Sequence, residues 1–139
     1  MSDGVRTLGV GVDLVHVPGL REQLADAASG FAAATFTRAE VLASEARPGH
    51  DPARHLAARF AAKEAAVKAW SSSRWGQAPT MERADLREIE VVADAWGRPQ
   101  LRFHGSVRAA LGALGVEAAH VSLSHDGDHA IAFVSLEGR

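Results

Sequence analysis

The alternation of apolar and polar positions divides the chain into short strands and helices. In "LGVGVDLVHV", Leu8, Val10, Val12 and Leu14 fall on one face and Gly9, Gly11 and Asp13 on the other, the period of two that predicts a strand. On this pattern the apolar face is the core face and Asp13 points away from it. The two glycines leave the backbone beside that carboxylate open to close approach. Pro18 then opens a short helix through about Ala28. In "FTRAEVL", Thr37 precedes Glu40 by three residues, the spacing of a capping box, with Phe36 and Val41 placed for a hydrophobic staple. After the break at "ARPGHD", Asp51 as N-cap and Pro52 as first helical residue begin a long helix running to about Trp70. Beyond "SSSRWGQAP", "LREIEVVADA" alternates Ile89, Val91 and Ala93 against Glu88, Glu90 and Asp94; "WGRP" turns the chain and "QLRF" returns as a partner strand. "SVRAALGALG" sets Val107, Leu111 and Leu114 at helical spacing, with Gly115 as its stop. "HVSLS" and "HAIAFVSL" flank "HDGD", whose Asp126-Gly127 pair signals a hairpin. The fold class expected is α+β, a mainly antiparallel sheet flanked by helices.

Composition narrows the picture. The chain has 139 residues, 47% hydrophobic and 23% charged, and neither an internal repeat nor a low-complexity linker, so a single domain over 1–139 is expected. A protein of this size often gains stability by assembling, which makes a homo-oligomer compatible with the sequence. There are no cysteines, which removes disulfide scaffolds, thiolate metal sites and cysteine nucleophiles. The first twenty residues lack a basic start followed by an apolar run, and no stretch of about 18 uncharged apolar residues occurs. A cytoplasmic protein without membrane attachment is expected. A net charge of -2 argues against a surface built to coat nucleic acid.

The long helix carries the candidate chemistry. At roughly 100° per residue, Leu56, Phe60 and Val67 of "RHLAARFAAKEAAVKAW" form one stripe with Lys63 in its sector, Glu64 lies to one side, and Lys68 follows one turn later. The opposite half is alanine at 58, 61, 62, 65, 66 and 69, able to pack closely on another backbone, while the long arm of Lys63 can snorkel out of its stripe. Two readings of Glu64 stay open on spacing alone. It can form an ordinary i,i+4 pair with Lys68, worth a few tenths of a kcal/mol. It can instead meet Asp13 at a hard divalent cation such as Mg²⁺, which takes one or two carboxylates and fills its other positions with water and phosphate oxygens.

The elements "GVDLV" at 11–15, "TFTRAE" at 35–40, "RHLAARFAAKEAAVKAW" at 54–70, "WGRP" at 96–99 and "VSLSHDGD" at 121–128, in this order, resemble the holo-acyl-carrier-protein synthases, the small bacterial 4'-phosphopantetheinyl transferases. The resemblance runs from the first strand to the final hairpin. It implies the fold of that family, a homotrimer with active sites between subunits, and transfer of the phosphopantetheine arm of coenzyme A to a serine of apo acyl carrier protein, with Mg²⁺ required and 3',5'-ADP released. On it, Asp13 and Glu64 correspond to the two metal-binding acids and Lys68 to the lysine facing the pyrophosphate. Arg59, Arg98, Pro99, Ser124 and His125 correspond to the lining of the pocket for the 3'-phosphate and adenine. Such a reaction relies largely on positioning and charge neutralisation. The nucleophile belongs to the carrier protein, so the chain needs none.

Two departures from the family's pattern stand out. Gly19 lies near the position of an arginine that docks the carrier, with Arg21 the nearest base, and "SSSRWG" replaces the usual glycine-rich continuation, leaving Ser71 or backbone donors beside the pyrophosphate. Rival readings are weaker. "SHD" at 124–126 alternates across a strand and has no nucleophile elbow around it, and "HDGDH" lacks the calcium-loop pattern. A non-catalytic coenzyme A or nucleotide-binding subunit of the same fold is the main alternative, and the three residues Asp13, Glu64 and Lys68 argue against it. Whether the carrier serves fatty-acid synthesis, as in lipid metabolism, or a polyketide pathway stays open.

Overall fold

A computed structural model describes residues 4–139. Among them the elements run β1 (Arg6–His16), α1 (Val17–Ala25), α2 (Phe31–Thr35), α3 (Arg38–Glu45), α4 (Pro52–Ser72), a 3-10 turn (Leu86–Glu88), β2 (Ile89–Ala93), β3 (Pro99–Phe103), α5 (Gly105–Ala113), β4 (Val116–Asp126) and β5 (His129–Gly138). All strand pairs are antiparallel, in a three-stranded sheet ordered β1-β5-β4 and a two-stranded sheet β2-β3. The α+β expectation therefore holds, and α2 is an element that the periodicity did not suggest.

The local signals act as their chemistry requires. Asp51 accepts a hydrogen bond from Ala53 N ahead of Pro52, and Thr37 and Glu40 complete a capping box. Val107 and Leu111 are buried on α5, and Gly115 takes φ 85° where the helix ends. In the final hairpin Asp126 pairs with His129, so Gly127 and Asp128 make the two-residue turn and Gly127 supplies the positive φ.

The facing of β1 reverses the sequence expectation. Val10, Val12 and Leu14 are 48%, 52% and 62% exposed, whereas Gly9 and Gly11 are buried beneath α4. A Cβ on Gly9 would lie 2.1 Å from the Ala69 carbonyl oxygen, and one on Gly11 would lie 2.0 Å from that of Ala65. The alanine half of α4 thus rests on the glycine face of β1, an approach that valines would prevent. The period of two is correct, but which face turns inward is set by the shape of the helix that covers it. Asp13 accordingly lies on the helix side of the strand. On β5, Ala130, Ala132, Val134 and Leu136 are buried, while Ile131 and Phe133 face outward. They pair with Leu14 and Val12 respectively, so the outer surface of the sheet is an apolar patch.

Lys63 also departs from expectation. It does not snorkel but is wholly buried, its Nζ donating to Glu40 Oε1 at 2.7 Å, to the Leu86 carbonyl at 2.8 Å and to the Ile89 carbonyl at 2.7 Å. Three donated bonds require the ammonium form. Burial lowers its pKa and the neighbouring Glu40 carboxylate opposes that shift. Glu40 accepts in addition from Thr37 N at 2.9 Å and Val91 N at 3.0 Å, so one capping-box carboxylate joins α3, α4 and β2.

Candidate active site

The close packing of α4 on β1 brings residues distant in sequence to one place. Asp13, opposite Ala132 on β5, and Glu64 of α4 border the same cavity of about 400 Å³, together with His16, Gly19, Gln23 and Phe60. Burial raises the pKa of Glu64, the charge of Asp13 raises it further, and Lys68 acts weakly in the opposite sense. Lys68 does not pair with Glu64 as an i,i+4 partner. Its Nζ lies 2.9 Å from Asp13 Oδ1, across the helix–strand junction.

Two carboxylates bordering one cavity are suitable donors for a hard divalent cation that completes its shell with water and substrate oxygens. Among the described residues no group of three or more His, Asp or Glu is gathered for a metal. A cation at Asp13 and Glu64 would complete its shell with water and substrate oxygens, the arrangement favoured where phosphate oxygens belong to the substrate.

The remaining candidates divide among several places. Ser71 is exposed at the end of α4 and shares with Glu64 a larger groove of about 1020 Å³, floored by Phe60, Val67 and Trp70. Arg59 is half-buried on α4, where it interacts electrostatically with Glu40 and Arg47. Arg98 and Pro99 border a separate cavity of about 440 Å³ with Arg102 and His120. The Arg98 guanidinium donates to Asp94 at 2.6 Å and stacks 5.1 Å from the Trp96 ring centre. Ser124 and His125 are exposed near the end of β4, outside these cavities. Within one chain, then, Asp13, Arg59, Glu64, Lys68 and Ser71 lie on or beside α4, Arg98 and Pro99 lie at a separate cavity, and Ser124 and His125 lie across β5 from Leu14 and Val15.

Some residues of interest carry little signal in the sequence. His16 caps α1, its Nδ1 accepting from Gly19 N at 3.3 Å, and borders the Asp13 cavity. A polar residue directly before the Val-Pro start of a helix is the available signal. His55 has a buried Nε2 without a protein partner, and its pKa is lowered to about 4 by burial and then by the charges of Arg59, Arg47 and His50. No periodicity announces that environment. Arg21, the base nearest the docking position, is bound to the carboxylate of Asp51 at the start of α4.

Comparison with known proteins decides the family. The model of the 4'-phosphopantetheinyl transferase superfamily matches residues 9–134. The chain belongs to that superfamily. Its relatives include the holo-[acyl-carrier-protein] synthase of Mycobacterium ulcerans, 46% identical over 130 residues and covering 94% of this chain and 96% of that protein. The holo-[acyl-carrier-protein] synthase of Mycobacterium tuberculosis is 45% identical over the same share of each chain. Among solved structures, the Chronobacterium ammoniagenes ACPS-CoA complex matches with a TM-score of 0.86 and 40% identity, covering 99% of both chains. The Mycobacterium tuberculosis acyl carrier protein synthase matches with a TM-score of 0.76 and 43% identity, covering 96% of this chain and all of that one, 100%. This superfamily member is a phosphopantetheinyl transferase with the mixed helix and antiparallel-sheet fold of those structures.

Proposed function

We propose that the chain transfers the 4'-phosphopantetheine group of coenzyme A to a serine of apo acyl carrier protein, releasing 3',5'-ADP, with Mg²⁺ held by Asp13 and Glu64. The observation that carries this reading is that Asp13 and Glu64, 51 residues apart on a strand and a helix, border one cavity, with Lys68 held 2.9 Å from Asp13 Oδ1. A relative with coenzyme A in its complex supports coenzyme A as the co-substrate.

In this mechanism Asp13 and Glu64 would hold the cation, which would supply positive charge to the diphosphate oxygens. Lys68, more than half exposed, has the reach to neutralise charge developing on the 5'-phosphate of the departing 3',5'-ADP as the diphosphate bond breaks. Ser71 and the backbone after α4 offer neutral donors alongside it. Phe60 and Val67 present an apolar wall beside Glu64 and limit water around the reacting group. Arg59, Arg98, Pro99, Ser124 and His125 would bind the 3'-phosphate and adenine, for which the forked guanidinium is well suited.

The placing of Arg98 and Pro99 at a cavity other than that of Asp13 within one chain supports a homotrimer whose sites lie between subunits. So does the outer face of the sheet, where Val10, Val12, Leu14, Ile131 and Phe133 are all at least 40% exposed. Such a contiguous apolar face is what an association surface provides. We further read residues 1–139 as one domain acting in the cytoplasm, on carriers of fatty-acid or polyketide synthesis. No helix among the described residues is long and apolar enough to cross a membrane.

The test is to incubate the protein with coenzyme A, Mg²⁺ and an apo carrier protein and to weigh the carrier. The expected result is a phosphopantetheine adduct, lost in Glu64→Gln by about a hundredfold or more in rate. No adduct on several carriers, with coenzyme A binding intact, would leave the chain a binding subunit.

A further inference from the structure

Lys68 has two tasks in conflict. As a partner of the coenzyme A diphosphate its ammonium must face substrate, yet in the structure it lies 2.9 Å from Asp13 Oδ1. Asp13 is the fixed member of this pair: its strand is hydrogen-bonded to β5 and its side chain is only 16% exposed. Lys68 is the movable member, 56% exposed on a flexible four-carbon stem. Asp13 and Glu64 border one cavity, so the ammonium beside Asp13 counters negative charge that a bound cation would otherwise counter. An ion pair with an exposed lysine is weak and readily exchanged.

We propose that Lys68 is an internal competitor for the divalent cation: it occupies Asp13 as a substitute positive charge, leaves when the cation binds, and only then engages the diphosphate of coenzyme A. Cation loading and the action of Lys68 are thereby ordered, because one carboxylate cannot hold both charges in the same place. This rests on the reading of Asp13 and Glu64 as cation ligands.

The probe is Mn²⁺, titrated without coenzyme A and followed by electron paramagnetic resonance or calorimetry. Lys68→Met is expected to bind Mn²⁺ about twofold to fivefold more tightly than the natural protein, the equivalent of losing one exposed ion pair. In Asp13→Asn that gain disappears, so Asp13→Asn with Lys68→Met binds no better than Asp13→Asn alone. A second measurement follows coenzyme A binding. Lys68→Met should weaken it when Mn²⁺ is present and leave it within about twofold when the metal is chelated. If Asp13→Asn and Glu64→Gln lose Mn²⁺ but Lys68→Met binds it equally or less tightly, the competition is refuted and the cation assignment survives. If Lys68→Met weakens coenzyme A binding equally with and without metal, the ordered handover is refuted. Undiminished Mn²⁺ binding in both Asp13→Asn and Glu64→Gln overturns the cation assignment and the competition together.

Discussion

Replacing Lys63 by methionine tests whether the buried cation holds the framework beneath the site. Lys63→Met keeps the unbranched apolar stem, one atom shorter, but removes a fully buried charge that donates to three acceptors, Glu40 and the carbonyls of Leu86 and Ile89. Glu40 would retain its bonds from Thr37 N and Val91 N while losing its cation. Breaking a buried pair in this way costs about 3–5 kcal/mol, because the remaining charge stays buried without compensation. Against a usual stability of about 5–15 kcal/mol this is a large share. It corresponds to a fall in Tm of roughly 10–15 °C for a chain of this size. Urea and thermal unfolding, at equal protomer concentration because assembly shifts apparent stability, read the change directly. The double variant Lys63→Met with Glu40→Gln should be less unstable than the sum of the two single changes, by about 1 kcal/mol or more. A loss below about 1 kcal/mol in Lys63→Met, or strict additivity in the double variant, would show that the pair is not the buried, coupled unit described.

The other expectations concern packing, protonation and assembly. In Gly11→Ala the new Cβ would meet the Ala65 carbonyl oxygen at 2.0 Å and Ala69 N at 2.6 Å, both backbone atoms, so destabilisation of about 3 kcal/mol or more is expected in thermal unfolding. His55, with its pKa lowered to about 4, should titrate in NMR well below the ordinary value near 6.5; an ordinary titration would refute its burial among cations. Since the folded state holds this histidine neutral, its contribution to stability is complete above the unfolded pKa and declines as pH falls toward 4; His55→Asn should flatten the stability profile across that interval. Phe133→Glu places a charge on the outer apolar face, opposite Val12, and should convert the proposed trimer to monomers in sedimentation, whereas an unchanged sedimentation profile would remove this face as the contact surface.

Several features are legible in the order of residues alone because they depend on neighbours along the chain. The capping box at Thr37 and Glu40, the Asp51-Pro52 helix start, the Gly115 stop and the Gly127 hairpin turn are local hydrogen-bond and dihedral requirements. The family is readable as well, because its motifs are spread along the chain in a fixed order, and the match over residues 9–134 agrees. Facing is not readable in the same way. The valines of β1 suggest the core side, yet glycine lies inward there because α4 presents alanine and comes too close for a side chain.

The sequence by itself therefore determined the elements other than α2, their order and the residue types available for chemistry at Asp13, Glu64 and Lys68. Only the tertiary structure decided how they combine. It turned Asp13 toward the helix, gave Lys68 to Asp13 rather than to Glu64, and committed Lys63 to Glu40 and two backbone carbonyls. The physical reason is that periodicity specifies a direction relative to one element's own axis, whereas pairing between charges depends on the distance between elements. That distance is set here by the contact of an alanine helix with a glycine strand.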